Sequence, residues 1–354
     1  MLRKIEIDNF KCIDSLDIEL KNFNLLAGIN SAGKSTIIQA LLLLFQASEI
    51  SPSKRGKITA FNGNYVTLGE VNDVKNIYTG KHEVSLLVSD GVQDYYTKKN
   101  KEDIFNYSEN ISDLHERDLV YLCADRVGVK DVYTKNLQGD MRIGVHGEYS
   151  FAYLSEHKSL PIEETEFVKD ESVGMGFGNQ VNYWLDYIVG YRVSAEDIDK
   201  TNVVKVIYSN AESTRELRPC HVGTGVSYIA NLIVAALSCR QGSLFIVENP
   251  EIHLHAGAQS RTIEFLLFMA SRGLQIIVET HSDHIFNGMR KELKNKKITP
   301  ELMQVLFVQK NKENVCEVKK VNINDAGIIE NHQKGLFDQF DEDLDELLGL
   351  NDYE

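Results

Sequence analysis

The strongest chemical signal in the chain is a run of nine residues near its start. Gly28-Ile29-Asn30-Ser31-Ala32-Gly33-Lys34-Ser35-Thr36 fills the pattern G-x-x-x-x-G-K-[ST] at every position. Glycines let the backbone curl until its N–H groups face inward at phosphate oxygens, and a following helix adds the positive end of its dipole. Lys34 then reaches β- and γ-phosphates, and the Ser35 hydroxyl is placed to ligate Mg²⁺. Asn30, Ser31, Ala32, Gly33, Lys34, Ser35 and Thr36 are therefore the candidate nucleotide-binding residues. At ordinary glycine usage such a match arises by chance on the order of once in a hundred chains of this length.

Two polar clusters further along supply partners. Leu244 to Val247 is an apolar run closed by Glu248-Asn249-Pro250-Glu251-Ile252-His253-Leu254-His255, and Leu274 to Val278 is closed by Glu279-Thr280-His281-Ser282-Asp283-His284. Both clusters fall at the carboxyl ends of expected parallel strands, where open α/β sheets bind ligands. Glu248 is the candidate Mg²⁺ carboxylate, and His281 is placed to meet a γ-phosphate or the attacking water. A third element, His221-Val222-Gly223-Thr224-Gly225-Val226-Ser227, puts glycines just ahead of an apolar helix and forms a second anion-binding lip. One chain already holds a phosphate loop. A second lip suggests two chains around a two-fold axis, each covering the other's nucleotide.

The elements that must hold these residues are readable from periodicity. Leu2 to Phe10 alternates apolar and polar residues as a half-buried strand does, and Asn22 to Ala27 is a second strand. A helix is expected from Lys34 to about Phe45. Glu83 to Thr97 reads as a hairpin turned at Asp90-Gly91, and Leu119 to Cys123 as a short strand. From Tyr228 onward, helices near 228–238 and 257–271 alternate with strands 244–247 and 274–278, which implies parallel pairing. Between them, 126–219 has little long-range periodicity apart from a helical 181–189 and a strand-like 203–208. The expected organisation is an N-terminal half over 1–128, an inserted helical or mixed subdomain over 129–217, a C-terminal half over 218–330, and an acidic tail over 331–354.

Composition bounds the rest. The chain has 354 residues, 43% hydrophobic and 25% charged, which is ordinary globular usage. Its 52 acidic and 38 basic residues give −14, arguing against a surface that grips nucleic acid throughout. The basic run Arg290 to Lys297 reads first as a solvated helix face, with a DNA or RNA backbone contact as the alternative. No apolar run reaches the ~18 residues of a membrane helix, and the N-terminus has no apolar leader, so a cytoplasmic chain without membrane contact is expected. Five cysteines stand singly at 12, 123, 220, 239 and 316, which disfavours a disulfide framework and a four-thiolate zinc site. Asp338 to Glu354 carries eight acidic side chains and no basic one. It reads either as a solvated terminus or as an amphipathic helix with Phe340, Leu344, Leu347 and Leu348 at helical spacing.

Taken together, Ile5-x-Ile7-x-Asn9-Phe10-Lys11, the phosphate loop, the glycine lip, Glu248 to His255 and Glu279 to His284 resemble the ABC-type ATPases of the RecF/SMC branch. The likeness is strongest to stand-alone ATPases related to the overcoming-lysogenization-defect (OLD) proteins, whose Gly-Phe-Phe-Asp-like segment is similar to Gly335-Leu336-Phe337-Asp338. It is weak between about 130 and 217. This resemblance implies an ABC-type P-loop NTPase with a mixed sheet, antiparallel N-terminal strands beside a parallel core. It also implies ATP and Mg²⁺ as ligands and a homodimer or higher homo-oligomer around them. By the same likeness Glu248 takes the Walker B magnesium position, Gly223, Gly225 and Ser227 fall in the ABC signature, and His281 is the switch histidine. Asp125-Arg126 also resembles a family motif. The partner implied is a separately encoded effector, such as a nuclease, in an anti-phage defence system.

Two positions depart from the family pattern. Asn249 stands where ABC ATPases carry a catalytic Glu; Asn orients water but cannot take its proton, a loss typically worth about 10²–10⁴-fold. Slow hydrolysis is expected, with Glu251 as a substitute if the Pro250 turn aims it inward. Ala256 replaces the Pro that commonly follows His-Leu-His. Asn72 and Asp73 are the nearest candidates for a Q-loop residue. A metal-dependent hydrolase built on His253, His255, Glu251 and His281 is a second enzyme class. A non-hydrolysing, ATP-locked scaffold that restrains a toxin is the non-enzyme alternative. A built-in nuclease is not expected, because the Asp341, Asp343, Asp345 run lies in the acidic tail.

Overall fold

The computed structural model describes residues 1–50, 61–76, 78–79, 81, 83–99, 105–115, 117–137, 141–211 and 213–348. In chain order, β1 (Lys4–Phe10) and β2 (Ile13–Glu19) form a hairpin, and β3 (Phe23–Gly28) leads into α1 (Lys34–Ser48). The single turn α2 (Val71–Val74) precedes β4 (Val84–Ser89), β5 (Asp94–Lys99) and β6 (Phe105–Tyr107); α3 (Ile111–His115) and β7 (Leu119–Leu122) follow. Next come β8 (Val132–Thr134), α4 (Ser150–His157), α5 (Phe177–Val189), β9 (Arg192–Asp197), β10 (Val203–Asn210) and β11 (Ser213–Leu217). The rest is α6 (Thr224–Leu237), β12 (Leu244–Glu248), α7 (Ala256–Ser271), β13 (Gln275–Glu279), α8 (Asp283–Lys294), β14 (Met303–Lys310), β15 (Cys316–Val321) and α9 (Gln339–Leu347).

Among the described residues three sheets result. The central one has the order β15-β14-β3-β13-β12-β7, parallel throughout except for β15 at its edge. The N-terminal sheet, β2-β1-β4-β5-β6, is wholly antiparallel. The third sheet gathers β8, β9 and β11 around β10. The central strands are apolar almost without interruption because both their faces are covered. Successive side chains go to opposite faces. Leu25, Phe245, Val247, Ile276 and Val278 join the core shared with α5, α6, α7 and α8. Leu26, Leu244, Ile246 and Ile277 join the core between this sheet, α1 and the N-terminal strands. α1 is consequently buried on nearly all sides.

The mixed sheet matches the α/β architecture expected from the sequence. The Asp90-Gly91 hairpin is also present, with Gly91 at φ 88 and Asp90 Oδ1 accepting from the N–H groups of Val92 and Gln93. Among the described residues no helix is long and apolar enough to cross a membrane. At the C-terminus Leu336 is buried and Phe337 packs on Phe286 at 5.2 Å, so Gly335-Leu336-Phe337-Asp338 fastens the end of the fold. α9 forms in the acidic tail, with Leu344, Leu347 and Leu348 exposed. Residues 349–354 of that tail lie outside the described residues.

Candidate functional site

α1 opens with Gly33 as its N-cap, and its first turn has neither a side-chain cap nor an acidic residue. The first N–H groups of a helix lack partners within it; here no side chain takes their place. By contrast His255 caps α7 and Ser282 caps α8. Ala256 therefore sits at the first position of its helix, where a proline would be at ease. The loop ahead of α1 turns through Gly28 (φ 142), Ser31 (φ 58) and Gly33 (φ 120), with Asn30 and Ser31 exposed at its tip and Ala32 buried beneath. Gly28 answers to a second demand as well, since a Cβ there would lie 2.0 Å from the Val308 carbonyl oxygen of β14. Lys34 is 3% exposed, and its Nζ donates to the Gly28 and Ile29 carbonyls at 2.8 and 2.9 Å. Burial holds its pKa below the usual lysine range.

Register brings the other groups to this loop. Glu248 and Glu279 are exact cross-strand partners at the carboxyl ends of β12 and β13, and β13 in turn lies beside β3. Glu279 is only 5% exposed, and Ser35 Oγ lies 3.1 Å from each of its carboxylate oxygens. Burial, then the negative charge of Glu248, push Glu279 up to about 7, against the opposing pull of Lys34 and Ser35. Sequence reasoning passed over this residue as a strand terminus. The signal available was its equivalence to Glu248, an acid closing the neighbouring apolar strand.

Glu248 is half-buried, accepting from the Tyr121 hydroxyl at 3.0 Å and from the Ala124 N–H at 3.3 Å. Burial raises its pKa in spite of those donors and of Arg126. Arg126, from the Asp125-Arg126 pair of unassigned role, is 3% exposed. Its guanidinium donates to the backbone carbonyls of Glu248 and Asn249 at 3.0 and 2.5 Å and lies 5.8 Å from the centre of the Tyr228 ring. Arg126 thus fixes the turn that ends β12.

Within that turn Asn249 adopts φ 46, a left-handed conformation that Asn tolerates better than most residues, and its N–H donates to the Glu279 carbonyl at 2.8 Å. Glu251 Oε1 accepts from the His281 N–H at 2.9 Å, while its Oε2 is buried with no partner. Burial and then the charge of Lys34 keep His281 below the ordinary histidine range, so the imidazole is neutral at neutral pH. Glu248, Asn249, Glu251, Glu279 and His281 therefore converge beside Lys34 and Ser35. A hydroxyl with one buried and one half-buried carboxylate is a hard oxygen donor set, which fits Mg²⁺ completed by substrate phosphates and water.

The glycine lip stands apart from this cluster. Gly223 caps α6, and a Cβ on Gly225 would meet the His253 carbonyl oxygen at 2.3 Å, so the lip packs on the segment after Glu251. Gly223 and Gly225 line a groove of about 700 Å³ together with His253, His255 and Arg261. Ser227 departs from expectation. It is 1% exposed and takes the Tyr208 hydroxyl at 3.0 Å, so its side chain is committed to the core because helix periodicity turns it inward.

Other candidates find local partners. His253 packs on the Tyr228 ring at 5.1 Å while His255 Nδ1 accepts from Gly257, so the two imidazoles serve different contacts. Among the described residues no three His, Cys, Asp or Glu side chains form a group that could hold a metal ion. Asp73 accepts from the Glu70 N–H in the cap of α2. In the basic run, Lys297 pairs with Glu264 and Glu292, Lys291 bonds Ser260, and Arg290 donates to the Gly327 carbonyl. Of the five basic side chains in that run, Lys291 and Lys297 are thus paired with carboxylates within the chain.

Known proteins match this arrangement. A model described as "AAA ATPase domain" matches residues 1–174, and an "AAA domain" model whose description also names a type IV toxin–antitoxin system matches 127–287. A family described as a protein of unknown function matches 298–347. The Old nuclease of Escherichia phage P2 is 26% identical over 337 residues, covering 79% of this chain and 56% of that protein. The chain therefore spans little more than half the length of this relative. Among solved structures, the SMC head domain from Thermotoga maritima superposes with a TM-score of 0.50 at 13% identity, over 91% of this chain and 99% of that one. An Smc head domain with an extended coiled coil bound to the C-terminal domain of ScpA, derived from Pyrococcus furiosus, gives 0.52 at 11% identity over 98% and 99%. At these identities the structures speak for the fold alone. Fold, site and matches together support a P-loop ATPase domain that is similar to the Old nuclease in sequence and to the SMC heads in fold.

Proposed function

We propose that two copies of this chain close head-to-tail over Mg-ATP and hydrolyse it slowly. The nucleotide lies between the phosphate loop of one copy and the Gly223–Gly225 lip of the other, and the closed dimer controls a separate effector nuclease in anti-phage defence. The observation that carries this reading is the meeting of Ser35, Glu279 and Glu248 at adjoining strand ends, directly beside Lys34. Mg²⁺, when held there, supplies charge neutralisation to the β- and γ-phosphates. The chain's own residues do the remainder. Lys34 exchanges the Gly28 and Ile29 carbonyls for phosphate oxygens, and the α1 N–H groups donate to the anionic end of the nucleotide. Neutral His281 hydrogen-bonds the γ-phosphate, and Asn249 orients the attacking water. Glu251, held by the His281 N–H through one oxygen, keeps the other free to take the water's proton. The defence assignment draws support from the likeness to the phage Old nuclease, of which this chain spans 56%.

Asn249 favours one further reading, a nucleotide-locked scaffold that never turns over. Steady-state phosphate release separates the two. Wild type should hydrolyse slowly, and Asn249→Glu should raise turnover by about 10²-fold as a general base is restored. Wild-type turnover at tens per second would refute the slow mechanism. Hydrolysis that appears only in Asn249→Glu would favour the scaffold.

A further inference from the structure

Two thiols from opposite ends of the chain meet under the phosphate loop. Cys12 lies in the turn between β1 and β2, Cys316 opens β15, and the Cys316 N–H donates to the Cys12 carbonyl at 2.8 Å. Both sulfurs face Gly33, where an added Cβ would lie 2.8 Å from Cys316 Sγ and 3.0 Å from Cys12 Sγ. Those distances bring the sulfurs within 5.8 Å of each other, a limit reached only if the three points were collinear. Cys12 is partly exposed and Cys316 is buried. The hydrogen bond from the Cys316 thiol holds Cys12 below the ordinary thiol range, and the same contact pushes Cys316 up. Cys12 Sγ also lies 3.7 Å from Thr36 Oγ1, one residue past Ser35. The other thiols have no such setting: burial raises Cys239 and Cys123, and Cys220 stands exposed.

We propose that Cys12 and Cys316 are an oxidisable pair that closes to a disulfide beneath Gly33 and thereby weakens nucleotide binding. The co-reactant is hydrogen peroxide. Cys12 thiolate attacks one of its oxygens, the O–O bond breaks, and the departing hydroxide takes a proton to leave as water, giving Cys12 sulfenic acid. Cys316 sulfur then attacks the sulfenic sulfur; the S–S bond forms, the S–O bond breaks, and the Cys316 proton leaves with the hydroxide as a second water. Two thiols and one peroxide become one disulfide and two waters, and thiol exchange reverses the step. A partly exposed thiolate beside a buried resolving thiol is the arrangement such sensing requires. The backbone bond between the two residues already brings their main chains together beneath the loop. Drawing the sulfurs to bonding distance of about 2.05 Å removes the floor under Gly33 and breaks the Cys12–Thr36 contact, so the loop N–H groups shift from their phosphate-facing arrangement. The effect on binding rests on the ATP-site reading above.

The test treats the whole protein with hydrogen peroxide, digests it without reductant, and titrates Mg-ATP before and after. We expect a linked Cys12–Cys316 peptide, a Kd for Mg-ATP raised about fivefold or more, and recovery with dithiothreitol. Bound Mg-ATP should slow the linkage, because the coupling is reciprocal. Cys12→Ser should give no linked peptide and an affinity that peroxide no longer moves. Cys316→Ala should stop at a Cys12 sulfenic acid that dimedone traps. Recovery of Cys12 unlinked in oxidised wild type overturns the proposal, as does a quantitative disulfide that leaves Mg-ATP affinity unchanged. The linked peptide is read without nucleotide, so reduced protein that ignores Mg-ATP would count against the ATPase reading and the coupling, and not against the disulfide.

Discussion

With both oxygens 3.1 Å from Ser35 Oγ, Glu279 stands where a hard cation would bridge the phosphate loop and the strand ends. Burial and Glu248 push its carboxyl up to about 7. Folded protein free of metal therefore keeps a proton that the unfolded chain has released above the ordinary carboxylate range. Stability from this group is fully present below that range and is lost as pH rises through about 7. Glu279→Gln has no proton to lose, so in EDTA its urea midpoint should decline less than wild type between about pH 5 and 8. It should also raise the Mg²⁺ needed for ATP binding by about tenfold, since a hard ligand is lost. Parallel midpoint curves for the two proteins, with the same Mg²⁺ requirement, would remove Glu279 from the cation site. Arg126 shows the opposite economy of charge: its guanidinium goes to backbone carbonyls and fixes the turn that ends β12.

At the scale of elements, close backbone approach is what positions the phosphate loop and the glycine lip. Gly225 lets the first turn of α6 lie against the His253 carbonyl, where a Cβ would come to 2.3 Å. Gly225→Ala should lower stability by about 1–3 kcal/mol through forced overpacking, seen as a reduced thermal midpoint, and should weaken dimer closure more than binding to the isolated loop. A midpoint equal to wild type would mean that the lip is not held against that carbonyl. The elements legible in the sequence were those with their own periodicity and punctuation: β1, β3, α1, the β4–β5 hairpin, β7, α5, β10, α6, β12, α7 and β13. β9 and β11 are short and largely polar, and they exist because β10 pairs with them, which local pattern does not encode. β14 and β15 went unread for a related reason: their roles as neighbours of Gly28 and Cys12 are set by sheet order. In the site, Lys34 and Ser35 were legible because a loop pattern of nine residues is local. Glu279 needed strand register, the inward turn of Ser227 needed Tyr208, and the Cys12–Cys316 pair needed the whole sheet.

At the scale of the molecule, one phosphate loop and one glycine lip face different partners on the same chain, and the lip lines an open groove of about 700 Å³. Two chains joined so that each lip meets the other's loop would bury two nucleotides between them, with binding and association linked by mass action. Proximity of the two clusters to the carboxyl ends of one parallel sheet would give the proposed dimer a single face on which to close. The most direct measurement is calorimetric titration of Mg-ATP into wild type and Lys34→Ala, with light scattering on the same samples. Wild type should release heat at one nucleotide per chain and double in mass, and Lys34→Ala should lose about 10- to 100-fold in affinity as a charge-assisted phosphate contact disappears. Wild type that gives no heat at saturating Mg-ATP, or a Lys34→Ala protein that binds as tightly as wild type, would contradict the account.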